Sequence, residues 1–311
     1  IPNRQVHLDF HTSEMIDQVG SKFSAEEFAD TLKNANVEAV TLFTRCHHGN
    51  LYYDSTKYPE RIHPHLKVKD MYREQAKECR KKGIKVYLYT TICWDIQVAA
   101  EHPEWVAIDD YARISRRETG NIFEDPGFHV DLCINSPYRE FCKEQIADAL
   151  ENCPVDGVLV DASFVVECCC PRCRKSMLEK HLNPADPQDR KKHAWQIYYD
   201  FVREMTDYLH EIDSDYDIFF NKGHVGAQDI PVRDCFDYVA VESQPANCGY
   251  MDFPVSARYL RTWGVPVVGM TGRFLTGWGD NNSYRNQAAL EYESFSALSY
   301  GGLCNIGDQL P

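Results

Sequence analysis

Two carboxylates in this chain close apolar runs: Asp161 ends Gly157-Val158-Leu159-Val160-Asp161, and Glu242 ends Val239-Ala240-Val241-Glu242. A buried β-strand needs such a run, and an ionised carboxylate at its end is costly unless the position opens onto a solvated, charge-balanced pocket. Two carboxyls held in different surroundings can divide acid, base and nucleophile work between them. Glu242 is the first choice as partner for Asp161, ahead of Glu167, Asp308 and Asp95. The competing expectations are a hydrogen-bonded Asp161 that braces a loop, and a Glu242 ion-paired to Arg273 or Lys222.

Other polar residues cluster at comparable places. In His7-Leu8-Asp9-Phe10-His11 the polar residues are spaced by two and point the same way, so with Leu8 and Phe10 facing outward, His7 and Asp9 lie inside. His11, past the strand end, is the better substrate ligand. His47-His48 before Gly49 can offer imidazole donors and acceptors to sugar hydroxyls, and Tyr52 and Tyr53 can stack on a pyranose face. Trp94, Asp95, Lys222, His224, Arg273, Trp278 and Asp308 supply further donors, charges and apolar platforms, with Trp278 expected at a surface rim. Cys168-Cys169-Cys170-Pro171-Arg172-Cys173 places Cys168, Cys170 and Cys173 at spacings that can wrap one structural zinc, with Cys133, Cys153 or a histidine as the fourth ligand. The alternatives are loop-packing thiols or a disulfide. No cofactor is expected for catalysis itself.

These residues must be positioned by alternating strands and helices. Strands are predicted at 5–10, 38–46, 85–91, 157–163, 217–222, 238–243, 266–273 and 302–308, and helices at about 24–35, 68–82, 137–151, 190–212, 255–263 and 286–299. Ser24 with Glu27 forms a capping box, and Lys81-Lys82-Gly83 ends the second helix. The pattern predicts an α/β fold, a (β/α)8 TIM barrel forming a single catalytic domain over 1–311. The eighth helix would be absent or supplied from beyond Pro311, so the chain reads as a fragment of a longer protein. No GxGxxG follows the first strand and no GxxxxGK[ST] occurs, which removes the usual nucleotide sites. The connections 92–136 and 164–189 are long enough to wall a substrate site, or to form oligomer contacts.

The 311 residues carry a formal charge of −14, with 43% hydrophobic and 26% charged residues. That balance argues against a nucleic-acid partner, whose phosphates require dense Lys and Arg, and favours a neutral substrate. No run reaches the ~20 apolar residues that span a bilayer. Thirteen cysteines without a disulfide framework point to the cytoplasm, unless a signal peptide has been removed before Ile1. A homo-oligomer is a further expectation.

The run TLFTRCHHGNLYYDS, followed by a helix and KKGIKVYLYTT, resembles the second and third strands of family 29 α-L-fucosidases. HLDFH, HPHL at 63–66, HPEW at 102–105, NSPYR at 135–139 and CCCPRC resemble more closely the hypothetical glycosyl hydrolase family 6, a group of barrel proteins. The resemblance covers nearly the whole chain for that family and about 38–165 for the fucosidases. It implies His47 and His48 as substrate contacts and Asp161 as nucleophile, with Asn50 standing where the fucosidase segment has Asp. The expectation is a retaining glycoside hydrolase of carbohydrate metabolism with Glu242 as acid/base, fucosidase-like or galactosidase-like in substrate. Two other readings stand beside it. One is a metal-dependent barrel hydrolase of the amidohydrolase type, using His7 or His11, His224 and Asp308. The other is a non-catalytic carbohydrate-binding barrel, which a carboxyl separation far above about 10 Å would favour.

Overall fold

The computed structural model of the chain describes residues 1–116, 128–151, 153–280 and 283–310. Residues 117–127 of the predicted 92–136 connection lie outside them. Eight strands run through the described residues: β1 Arg4–Asp9, β2 Ala39–Phe43, β3 Lys85–Thr91, β4 Gly157–Asp161, β5 Asp217–Phe220, β6 Val239–Glu242, β7 Val267–Gly272 and β8 Leu303–Gln309. The sheet order is β5-β4-β3-β2-β1-β8-β7-β6, and every neighbouring pair is parallel. This is a nearly closed (β/α)8 barrel.

The order leaves β5 and β6 facing each other across a seam. Near its base, Asp237 N–H donates to Ile218 O at 3.1 Å, Ile218 N–H donates to Asp237 Oδ2 at 2.9 Å, and Phe219 packs on Tyr238 with ring centres 5.2 Å apart. All residues of β2 and β7 are buried. Strands covered by helices outside and packed side chains inside need apolar character on both faces, so they read as continuous apolar runs.

The helices are α1 Ala25–Asn34, α2 Met71–Lys81, α3 Ile96–Glu101, α4 Tyr138–Leu150, α5 Pro171–Glu179, α6 Pro187–Ile212, α7 Pro245–Cys248, α8 Asp252–Leu260 and α9 Gln287–Ser299. Ser24 Oγ accepts from Glu27 N–H at 3.3 Å and starts α1. Gly83, at φ +72°, turns the chain from α2 into β3, a conformation that costs a residue with a Cβ but not glycine. Short helices α3, α5 and α7 lie on connections read from sequence as loops. The β3 connection also pairs with itself through the bridges Trp94↔Asp131, Val106↔Leu132 and Ile108↔Ile114. No helix among the described residues is long and apolar enough to cross a membrane.

Gly157 shows how tightly the lower barrel is filled. A Cβ there would lie 2.2 Å from the Asp217 carbonyl oxygen and 2.8 Å from the Tyr87 ring. The carbonyl belongs to the paired strand β5 and cannot move aside alone. Gly157→Ala should therefore destabilise the fold by about 1–3 kcal/mol through overpacking, read as a lower midpoint in urea; an unchanged midpoint would contradict this packing.

Candidate active site

Strand parity decides which side chains enter the mouth. Asp161, the last residue of β4, and Asn221, one residue past β5, both turn inward and meet. Asp161 Oδ2 accepts from Tyr89 OH at 2.5 Å, and Oδ1 accepts from Asn221 Nδ2 at 2.8 Å. The same nitrogen donates to Glu242 Oε1 at 2.6 Å. Two oxygens that share one donor can be no farther apart than those two bonds laid end to end. That limit lies within the roughly 5–5.5 Å typical of a retaining carboxyl pair and short of the roughly 6.5–9.5 Å of an inverting one.

Burial pushes the Asp161 carboxyl above its ordinary range, and nearby Asp9 pushes the same way. The hydrogen bonds from Tyr89, from the Ala162 N–H and from Asn221 oppose the shift. Ala162 holds a left-handed φ of +51°, which a residue with a Cβ adopts at a cost, and this conformation turns the backbone directly after Asp161.

Of three imidazoles at the mouth, His7 and His47 are buried and His11 is half-buried, and desolvation is the main reason that each stays neutral. His7 is lowered to about 4, His11 to about 3, and His47 well below the ordinary histidine value. His11 stacks on His47 with centres 3.9 Å apart, and its Nδ1 accepts from the His47 backbone N–H at 3.1 Å. The His11 proton therefore sits on Nε2, facing Tyr89 OH at 3.4 Å. Thr91 Oγ1 lies 2.8 Å from His47 Nδ1 and 3.4 Å from Trp94 O, which fixes the tilt of the His47 ring. His47 Nε2 faces Asp161 Oδ2 across 3.9 Å. That gap is too wide for a direct hydrogen bond and is suited to an intervening hydroxyl or water.

Aromatic side chains wall this centre. Phe128 lies 4.8 Å from the His48 ring and 5.4 Å from His47, while Trp94 lies 4.9 Å from His47 and donates through Nε1 to Asp131 at 3.0 Å. Trp278, expected at the rim, instead turns back over β8. A Cβ on Gly307 would come within 2.1 Å of its ring, and it meets His7 edge-on at 5.3 Å.

Several residues expected to bind substrate are committed elsewhere. Tyr53 is fully buried and donates to Asp148 Oδ2 at 2.7 Å on α4, behind the barrel wall. Asp95 is fully buried, pairs with Arg45 at 2.7 Å and caps α3 by accepting from Val98 N–H at 2.9 Å. Lys222 points away from the mouth to Asp229 at 3.1 Å and lies over the Trp195 ring. Arg273 Nε donates to Asp308 Oδ2 at 2.6 Å, and His224 is exposed. Both cations proposed as partners for Glu242 are thus engaged elsewhere. Of the rival carboxylates, Glu167 is exposed and Asp95 and Asp308 are ion-paired. Tyr89, Thr91 and Asn221 were not singled out by sequence. The inward alternation of Tyr87 and Tyr89 was the available signal for Tyr89.

The cysteine loop gains its fourth member. The Sγ atoms of Cys133, Cys168, Cys170 and Cys173 all lie within 4.8 Å of one another, and all four residues are buried. Cys153 lies near Tyr72, its hydroxyl partner, and not in this group.

The chain is similar to known proteins in sequence and in fold. Residues 24–162 match the family model of hypothetical glycosyl hydrolase 6. An α-L-fucosidase isoenzyme 2 from Paenibacillus thiaminolyticus superposes with a TM-score of 0.91 at 33% identity, over 100% of this chain and 46% of that one. The chain thus spans about half the length of that enzyme. The PgaB (BpsB) glycoside hydrolase domain from Bordetella bronchiseptica (TM-score 0.67, 16% identity, 99% of this chain and 93% of that one) shares the fold. So does a GH29 α-L-fucosidase from Bacteroides thetaiotaomicron (TM-score 0.55, 15% identity, 94% and 56%). No curated protein sequence matches. Asn50, where the fucosidase segment carries Asp, is buried as a brace: Nδ2 donates to Thr12 O at 3.0 Å and Oδ1 accepts from Gln97 at 2.8 Å. The departure therefore falls beside the mouth, in the loop that presents His47 and His48.

Asp95→Ala would strand the buried Arg45 guanidinium and should cost about 3–5 kcal/mol, measured by chemical denaturation; a loss under about 1 kcal/mol would mean that the pair does not brace these loops. The neutral histidines set an acid limit. An unfolded histidine takes up a proton below about 6.5, whereas native His7 resists until about 4, so its contribution to stability is lost progressively as pH falls through that window. Asp9 and Asp161, raised by burial, act in the opposite sense. His7→Gln should therefore show a shallower fall in unfolding free energy between pH 6.5 and 4 than the unaltered protein, and equal slopes would refute the assignment.

Proposed function

We propose that this barrel is a retaining glycoside hydrolase acting on a neutral, fucose-type glycoside, with Asp161 as nucleophile and Glu242 as acid/base. The observation that carries the reading is the single Asn221 amide nitrogen shared by the two carboxylates. In the first step an Asp161 oxygen forms a bond to the anomeric carbon while the bond to the leaving oxygen breaks, and that oxygen takes the proton held by Glu242. In the second, Glu242 removes a proton from water as its oxygen attacks the same carbon and the ester to Asp161 breaks, so Glu242 ends as it began.

The surroundings support this division. Tyr89 and Asn221 donate to Asp161, favouring the anion that must attack. The imidazoles at the mouth are uncharged, so they offer hydrogen bonds to sugar hydroxyls without demanding an anionic substrate. Trp278 provides an apolar face beside His7 for a sugar ring. The fucose-type assignment draws on the 33% identical α-L-fucosidase isoenzyme 2, whose similarity runs over the whole of this chain. A galactose-type glycoside is the alternative within the same chemistry. The amidohydrolase reading has no comparable support, since His224 is exposed and Asp308 is ion-paired.

A panel of nitrophenyl glycosides of α-L-fucose, β-galactose, α-L-arabinose and glucuronic acid tests the substrate, with the first-formed anomer followed by NMR. Activity on the fucoside with retained configuration is expected; an inverted product would overturn the mechanism. Asp161→Asn should lower kcat by roughly 10³-fold or more on every substrate. Glu242→Gln should spare substrates with good leaving groups and cripple those with poor ones, because only the latter need protonation. Since the nucleophile acts ionised and burial raises its pKa, the acid limb of kcat/KM should lie above the ordinary carboxylate range.

A further inference from the structure

We infer that Cys133, Cys168, Cys170 and Cys173 bind one structural zinc ion as four thiolates, and that this ion rivets together the β3 and β4 connections that wall the mouth. The assignment is independent of the proposed hydrolase activity. Cys133 Sγ lies 3.5 Å from Cys173 Sγ and 3.9 Å from Cys170 Sγ. Tetrahedral zinc with bonds of about 2.3 Å sets its sulfurs about 3.8 Å apart, whereas a disulfide requires about 2.0 Å. Four mutually close, buried sulfurs fit the first geometry, and a disulfide would leave two of the four unused.

The surroundings suit thiolates. Asn135 Nδ2 donates to Cys173 Sγ at 3.5 Å, and the Cys170 backbone N–H donates to Cys168 Sγ at 3.4 Å. Cys170 stands at the N-cap position of α5 and Cys173 lies in its first turn, where the unpaired N–H groups of the helix favour negative charge. An all-sulfur tetrahedral set selects zinc over magnesium or calcium. With four protein ligands no position is left for substrate, so the site is structural.

The ligands come from two connections. Cys133 follows the bridged pair Val106↔Leu132 on the β3 connection, and the other three belong to the β4 connection. Besides the cysteines, the buried members of this small core are Ala107 and Met177, with Ile108, Val166 and Leu182 packed against it, so sulfur makes up most of its buried side chains. The same connections carry Trp94 and Phe164, whose rings meet at 4.7 Å beside His47. The ion would thus fix the wall of the mouth from behind.

Elemental analysis of the full chain, purified from zinc-supplemented medium without chelator, should find close to one zinc per chain. A mercurial reagent should release it with a metal-sensitive dye as reporter, in step with the titration of four thiols. Cys173→Ser should lose the ion and Cys248→Ser, altering an exposed thiol outside the cluster, should retain it. Zinc-stripped protein should become cleavable by protease within 164–189. Should Cys173→Ser fail to fold, the metal count and thiol titration of the unaltered protein still decide. Free thiols that take up no zinc, a disulfide among these cysteines by mass spectrometry, or stoichiometric iron would each overturn the proposal.

Discussion

The Asn221 side-chain amide ties β6 to β4 and β5 across the one seam that the sheet ladder leaves open. β4 and β5 are held by a continuous ladder, but β5 and β6 meet at the seam where the strand order ends. At the base of that seam Asp237 and Ile218 exchange hydrogen bonds, and at its top Asn221 donates to Glu242. The upper contact links Glu242 directly to the strand that neighbours β4, whereas the ladders join the two only the long way round the barrel. A neutral amide suits the position, because it can donate to both carboxylates without adding a charge that would hold both of them ionised.

The electrostatics follow from that choice. A cation beside Asp161 would have lowered its pKa strongly, yet Lys222 is drawn to Asp229 and Arg273 to Asp308. Among the described residues, the donors to Asp161 are instead a phenol, an amide and a backbone N–H. Hydrogen bonds of this kind stabilise the anion less than a full charge does, so burial prevails and the carboxyl titrates high. The neutral imidazoles belong to the same scheme, since protonated histidines would undo the balance that leaves Asp161 basic.

Much of the barrel was legible in the sequence, because strands covered on both faces must be apolar runs and the helices between them must be amphipathic. All eight strands stand within a few residues of their predicted bounds. The site was less legible, and the reason is parity. The fifth strand was read through Lys222, whereas β5 ends at Phe220; successive side chains point to opposite faces, so Asn221 enters the mouth and Lys222 turns to α6. Tyr53 and Asp95 failed for a different reason. Their partners, Asp148 and Arg45, are 95 and 50 residues away in sequence, and no local pattern reports such a contact. The cysteines fall between these cases, with three readable as a spaced set and the fourth brought in only by the fold.

The two kinds of constraint act on different parts of the mouth. The barrel ladder and the Asn221 bridge hold Asp161 and Glu242 on one shared donor. The walls rest on long connections, where the backbone has no ladder of comparable length and position depends on a few buried contacts: Arg45 with Asp95, Asn50 with Thr12 and Gln97, and the four-cysteine cluster. Changes in those connections can reshape the walls of the mouth while leaving the carboxyl pair intact. Asn50 illustrates this separation: it differs from the fucosidase segment, yet its side chain is spent on holding a loop, and the carboxyl pair is positioned by other strands.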